Sequence, residues 1–86
     1  MPYIDRFEVL QPLVEAWIME CCVRTPAARS APRELYLSFE PFARQRSPYA
    51  WMINPKGLGE TLDRLGFKRY RTGGNRYWLS LAVKSN

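Results

Sequence analysis

The sequence predicts a single α+β domain, spanning residues 1–86, in which three short helices are followed by a β-hairpin. Three observations carry that expectation. In the first two thirds of the chain, apolar residues recur at spacings of three and four in three separate stretches, the period of helices with one buried stripe. The last third holds two aromatic, β-rich runs, FKRYRT and NRYWLSLAV, on either side of Gly73-Gly74. A chain of 86 residues with 47% hydrophobic and 14% aromatic content has enough apolar side chains for one small core.

The first stripe runs from Phe7 through Leu10, Val14, Trp17, Ile18 and Cys21. Proline is comfortable only near a helix start, so Pro12 places this helix at about 11–23, with 1–10 as an N-terminal arm or lead-in turn. Thr25-Pro26 breaks the pattern, and TPAARSAP reads as a connecting loop. Ser30 is the expected cap of the second helix, with Pro32 in its first turn and Glu34 near the positive dipole end. Leu35, Phe39 and Phe42 form its inner stripe, with Tyr36 beside them. Pro41 should bend or loosen its last turn before Arg44-Gln45-Arg46-Ser47-Pro48 ends it.

The apolar run 49–53 is too brief for a helix and reads as a small strand or buried connector. Asn54-Pro55 is a cap followed by proline at the first helical position, so a third helix starts there. Leu58, Leu62 and Leu65 are its stripe, and Gly66 its left-handed stop. Gly57 and Gly59 each weaken this helix by roughly 1 kcal/mol relative to alanine, which predicts a close backbone approach. In the hairpin, 67–72 should pair antiparallel with 76–83 across the glycines, with room for a short third strand. Leu79, Leu81 and Val83 would then alternate toward a core shared with Val14, Trp17, Ile18, Leu35, Phe39, Leu58, Leu62 and Leu65.

Charge is distributed unevenly. Residues 1–43 carry four cations against six acids, a net of −2, whereas 44–86 carry nine cations against two acids, a net of +7. From Arg64 to the C-terminus no acid interrupts the cations. This asymmetry is the footprint of a phosphate-binding surface, although solvated lysines and arginines produce the same arithmetic.

Most enzyme classes lose their usual residues. The chain has no histidine, so the commonest general base and metal ligand are both missing. Cys21 and Cys22 are adjacent, which suits neither a long-range disulfide nor a zinc site and fits a reducing, cytoplasmic setting. Their adjacency at a helix end points to packing rather than redox work. There is no glycine-rich phosphate loop and no acid cluster for two metals; Glu60 and Asp63 lack a third ligand. No apolar run approaches the roughly 20 residues of a membrane span, and MPYIDRFEVL has acids where a signal peptide has basic residues. The expectation is a non-enzymatic protein with no cofactor, metal, small-molecule substrate or membrane partner.

Three helices and a basic hairpin follow the order of a winged helix. Further residues bear on that order: Leu35-Tyr36 with Phe39 and Phe42; Leu58-Gly59 and Leu62 through Leu65-Gly66-Phe67; basic Lys68-Arg69-Tyr70-Arg71; and Arg76-Tyr77-Trp78 leading into alternating aliphatics. Over about residues 14–83 this resembles the winged-helix domain at the C-terminus of phage and poxvirus-type primase-helicases, also found in plasmid and satellite replication proteins. Pro41 and the run YAWMI depart from that pattern between the second and third helices. The resemblance implies nucleic-acid binding, duplex DNA foremost, in phage, plasmid or mobile-element replication or regulation. It brings neither ATPase nor primase activity, which belong to other domains.

The candidate contacts are Lys56 and Arg64 on the third helix and Lys68, Arg69, Arg71, Asn75 and Arg76 in the wing. Wing cations suit phosphates, and the helix suits base reading, although Glu60 and Asp63 share its exposed surface and would repel phosphate. Arg64 has an alternative partner in Glu60, and the wing cations have an alternative role in guarding an edge strand. Trp17, Trp51 and Trp78 offer base-stacking faces or, for Trp17 above all, core packing. A second class of function is a small protein-interaction module on the same scaffold, such as a phage-encoded inhibitor or adaptor in replication, defence or counter-defence.

Overall fold

The computed structural model describes residues 5–84, and the chain forms a small α+β domain of three helices and short antiparallel strands. The first four residues of the expected arm lie outside the described residues. Helix α1, Arg6–Cys21, begins earlier than Pro12 suggests. Asp5 is its cap, the carboxylate accepting from the Phe7 N–H at 2.9 Å. The expected 11–23 boundary and lead-in turn are therefore corrected: residues 6–10 are helical. Pro12 deprives the Glu8 carbonyl of its helical donor, and Pro41 does the same to Leu37 inside α2. All four residues are exposed, so water can reach the freed carbonyls while Leu10, Val14 and Trp17 gain full burial on the other face.

The connecting loop is shorter than expected, because two strands flank it: β1, Cys22–Val23, and β2, Arg29–Ser30. Ser30 is not the cap of the second helix. It is buried, and its hydroxyl donates to the Leu81 carbonyl at 2.8 Å. Helix α2, Pro32–Arg46, starts on Ala31 without a side-chain cap, Pro32 occupying its first turn as the sequence requires. The 49–53 run forms a 3-10 turn, Ala50–Met52, rather than a strand. Met52 and Ile53 are buried, as a connector demands, but Trp51 is 74% exposed. Helix α3, Pro55–Arg64, follows, with Asn54 capping the Gly57 N–H at 2.7 Å. A Cβ on Gly57 would stand 3.0 Å from Leu10 Cδ1, the close approach of α1 that the glycine permits.

The hairpin consists of β3, Arg69–Thr72, and β4, Asn75–Leu79, with Tyr70 opposite Tyr77 and Thr72 opposite Asn75. Gly73 and Gly74 have φ of 54° and 83°, the two left-handed positions of a tight two-residue turn. The second arm does not continue to Val83. Ser80 adopts φ 66° and breaks it, and β5, Ala82–Val83, turns away to pair with β1. Because that break resets the alternation, Trp78 and Leu81 point inward, and Leu79 is not a core residue. Strand β2 pairs with β4, giving a three-stranded sheet ordered β2-β4-β3, so the third strand precedes α2.

One core joins these elements. Trp17 and Phe39, both fully buried, meet edge to face with centroids 5.5 Å apart, and the indole N–H donates to Ser38 at 3.0 Å. Eight of the eleven expected core residues are buried there, Leu65 and Val83 pack partly buried against them, and Leu10, Phe42, Met52, Ile53, Phe67 and Trp78 join them. Burial pushes the Cys22 thiol up to about 12, with the neighbouring Cys21 adding to the shift, so it behaves as a small core side chain. Among the described residues no helix is long and apolar enough to cross a membrane.

Candidate nucleic-acid interface

The sequence puts cations at alternate positions of the hairpin, and a β-strand turns alternation into a common face. Arg69 stands opposite Trp78 and Arg71 opposite Arg76, so these four side chains share one face. Trp78 fixes its direction. The indole is buried against α3, with Cζ2 3.8 Å from where a Cβ of Gly59 would stand. The arginines therefore look across at α3 over a groove of about 720 Å³. Lys56 enters it from the first turn of α3, and Pro32, Pro55, Glu60, Tyr70 and Tyr77 complete much of the lining. Pro32 and Pro55 are the first residues of α2 and α3, so the positive ends of two helix dipoles also open onto the groove.

Arg71 and Arg76 are the least compensated charges in the groove. The Leu79 N–H donates to the Lys68 carbonyl at 2.9 Å, which makes 68 and 79 a hydrogen-bonded pair. By the alternation of antiparallel ladders, 71 and 76 are then a non-hydrogen-bonded pair, the kind whose Cα atoms stand about 4.5 Å apart. Like charges directly opposite destabilise a hairpin. Among the described residues the ion pairs are Arg6–Glu60, Arg44–Glu40, Arg46–Glu20 and Arg69–Asp63, so Lys56, Arg71 and Arg76 have no acidic partner. An anion between the two arginines would relieve the repulsion.

Arg69 has a different environment. Its guanidinium is paired with Asp63 of α3 and lies 4.8 Å from the Trp78 ring, tying the hairpin to the helix. The pairing also answers the expected repulsion from α3: Asp63 is neutralised by Arg69, and Glu60 by Arg6 of α1 at 2.5 Å rather than by Arg64.

Of the sequence-predicted residues, the structure thus brings together Lys56, Arg69, Arg71 and Arg76. Lys68 and Asn75 are exposed on the hairpin but are not part of the lining. Arg64 is elsewhere: it lies 4.2 Å over the Phe7 ring beside Asp5, Glu8 and Glu15, facing α1. Trp17 and Trp78 are buried. Sequence reasoning missed Arg6, whose partner is 54 positions away, and Arg29, which β2 carries to within 5.4 Å of the Tyr77 ring. Asp5, of a residue type that caps helices, is the local signal that puts Arg6 on a helix, but no local signal pairs Arg6 with Glu60. Comparison with protein-family models, with curated proteins and with solved structures returns no match to this chain.

Proposed function

We propose that this chain is a non-enzymatic winged-helix domain that binds nucleic acid, with the backbone phosphates held in the groove between α3 and the β3–β4 hairpin. The sheet order β2-β4-β3, with β2 between α1 and α2 and the hairpin after α3, supports the winged-helix reading. The observation that carries the function is the facing pair Arg71 and Arg76, unpartnered among the described residues and joined in one groove by Lys56. Folding tolerates such a like-charged pair at some cost in stability, and a polyanion converts it into a binding site. Contacts of this kind position the protein without reading sequence. The setting in phage, plasmid or mobile-element replication or regulation is the one implied by the sequence resemblance.

Fluorescence anisotropy against duplex, forked and single-stranded DNA tests the proposal. Lys56→Ala, Arg71→Ala and Arg76→Ala should each weaken binding by a similar factor for any sequence. Arg69→Ala should lose less, because its charge is already engaged by Asp63. Arg64→Ala should leave binding nearly intact. Equal losses at Arg64 and Arg71 would refute the groove, and no binding by the parent would move the interaction-module reading to the front.

A further inference from the structure

We infer that Arg6 is a positioning residue of this groove: by holding Glu60, it keeps the acid in the groove lining from competing with bound phosphate. The inference rests on the nucleic-acid reading above. Glu60 lies one helical turn after Lys56, on the side of α3 that faces the hairpin. One of its carboxylate oxygens accepts from the Arg6 guanidinium at 2.5 Å. The other is shielded from solvent and has no hydrogen-bond partner. Arg6 is not part of the groove lining, so whatever it does for a ligand is done through Glu60.

Its own position is fixed by the start of α1. Asp5 caps that helix, and the Phe7 ring lies 5.1 Å from the Arg6 guanidinium and 4.2 Å from that of Arg64. Removing the Arg6 charge leaves a carboxylate with no partner on either oxygen. The nearest remedy is Lys56, four residues earlier on the same helix face. Glu60 would then occupy a cation that the groove needs and add its own repulsion. Both effects lower affinity for a polyanion without removing any contact to it.

The ion pair is partly exposed, with side-chain exposures of 47% and 31%, and pairs of that kind add little to stability, so variants at these positions should still fold. The test is a double-mutant cycle on Arg6→Ala and Glu60→Gln, read in two ways: anisotropy with a short fluorescent duplex, and salt needed for elution from heparin. Arg6→Ala should weaken duplex binding about three- to tenfold at low salt. Arg6→Lys should restore most of the loss. In the Glu60→Gln background, Arg6→Ala should cause no further loss on either readout. An equal loss in both backgrounds would make Arg6 a direct phosphate contact and overturn the inference, as would no loss in either. If the parent binds no nucleic acid, the proposed function falls, and the heparin cycle still decides whether Arg6 acts through Glu60.

Discussion

Replacing Arg76 by glutamate should move stability and binding in opposite directions. The introduced carboxylate would face Arg71 across a close, non-hydrogen-bonded pair, so a like-charge contact becomes an opposite-charge one. Both positions are exposed, which keeps the gain within the range of surface cross-strand pairs, about 0.2–1 kcal/mol. For a domain of this size that raises Tm by roughly 1–8 °C. Binding should suffer twice. One groove cation disappears, and Arg71 becomes engaged by its new neighbour. Two phosphate contacts are then lost, and the slope of log affinity against log salt should become shallower by roughly two units. Thermal denaturation followed by circular dichroism gives the first quantity, and anisotropy between about 50 and 200 mM salt gives the second. A lower Tm with unchanged affinity would mean that the arginines neither repel each other nor hold phosphate.

Three further outcomes follow from the packing and the ionisable groups. Leu62 is fully buried at the junction of α3 with the core, so Leu62→Ala should lose about 2–5 kcal/mol in urea denaturation. Ser80 holds a left-handed backbone in which glycine is unstrained, so Ser80→Gly should raise the urea midpoint by the equivalent of about 0.5–1 kcal/mol. The Glu40 carboxyl is held below its ordinary value of 4.5, first by the Tyr36 hydroxyl that donates to it at 2.9 Å and then by Arg44. A lowered carboxyl favours the folded state above that ordinary value and loses the advantage as pH falls through the folded one. The stability difference between the parent and Glu40→Gln should therefore be present at neutral pH and vanish on acidification below about 4.5, as pH-dependent unfolding would record.

The helices and the hairpin were legible because their signals are local: heptad-like apolar spacing, Asn54-Pro55 at a helix start, and a glycine pair between aromatic runs. The errors arose where tertiary burial or a single backbone angle overrode a local rule. Pro12 marks a helix start in isolation, yet the burial of Leu10 and Val14 on either side of it outweighs one lost hydrogen bond on the solvent face. Ser30 has the chemistry of a cap, but pairing with Trp78 and the Leu81 carbonyl claims it first. The left-handed Ser80 resets the alternation after β4, so that Trp78 and Leu81 both point inward and Leu79 does not, and no sequence pattern announces such an angle in a serine. The candidate site was legible in composition and partly in position. That Lys56 faces Arg71 and Arg76, that Arg64 turns away to Phe7, and that Asp63 and Glu60 are neutralised by Arg69 and Arg6 depend on contacts between distant elements.

If unpaired cations of one groove hold nucleic-acid phosphates, the parent's affinity for duplex DNA must fall with salt in proportion to their number. Lys56, Arg71 and Arg76 are the groove cations without an acidic partner among the described residues. Three neutralised phosphates predict a slope of log affinity against log salt near −3, since each contributes about −0.9. The Lys56→Ala/Arg71→Ala/Arg76→Ala variant should flatten the plot almost to zero. A parent slope near zero, or a triple variant that keeps the parent's slope, would mean that these three cations hold no phosphate.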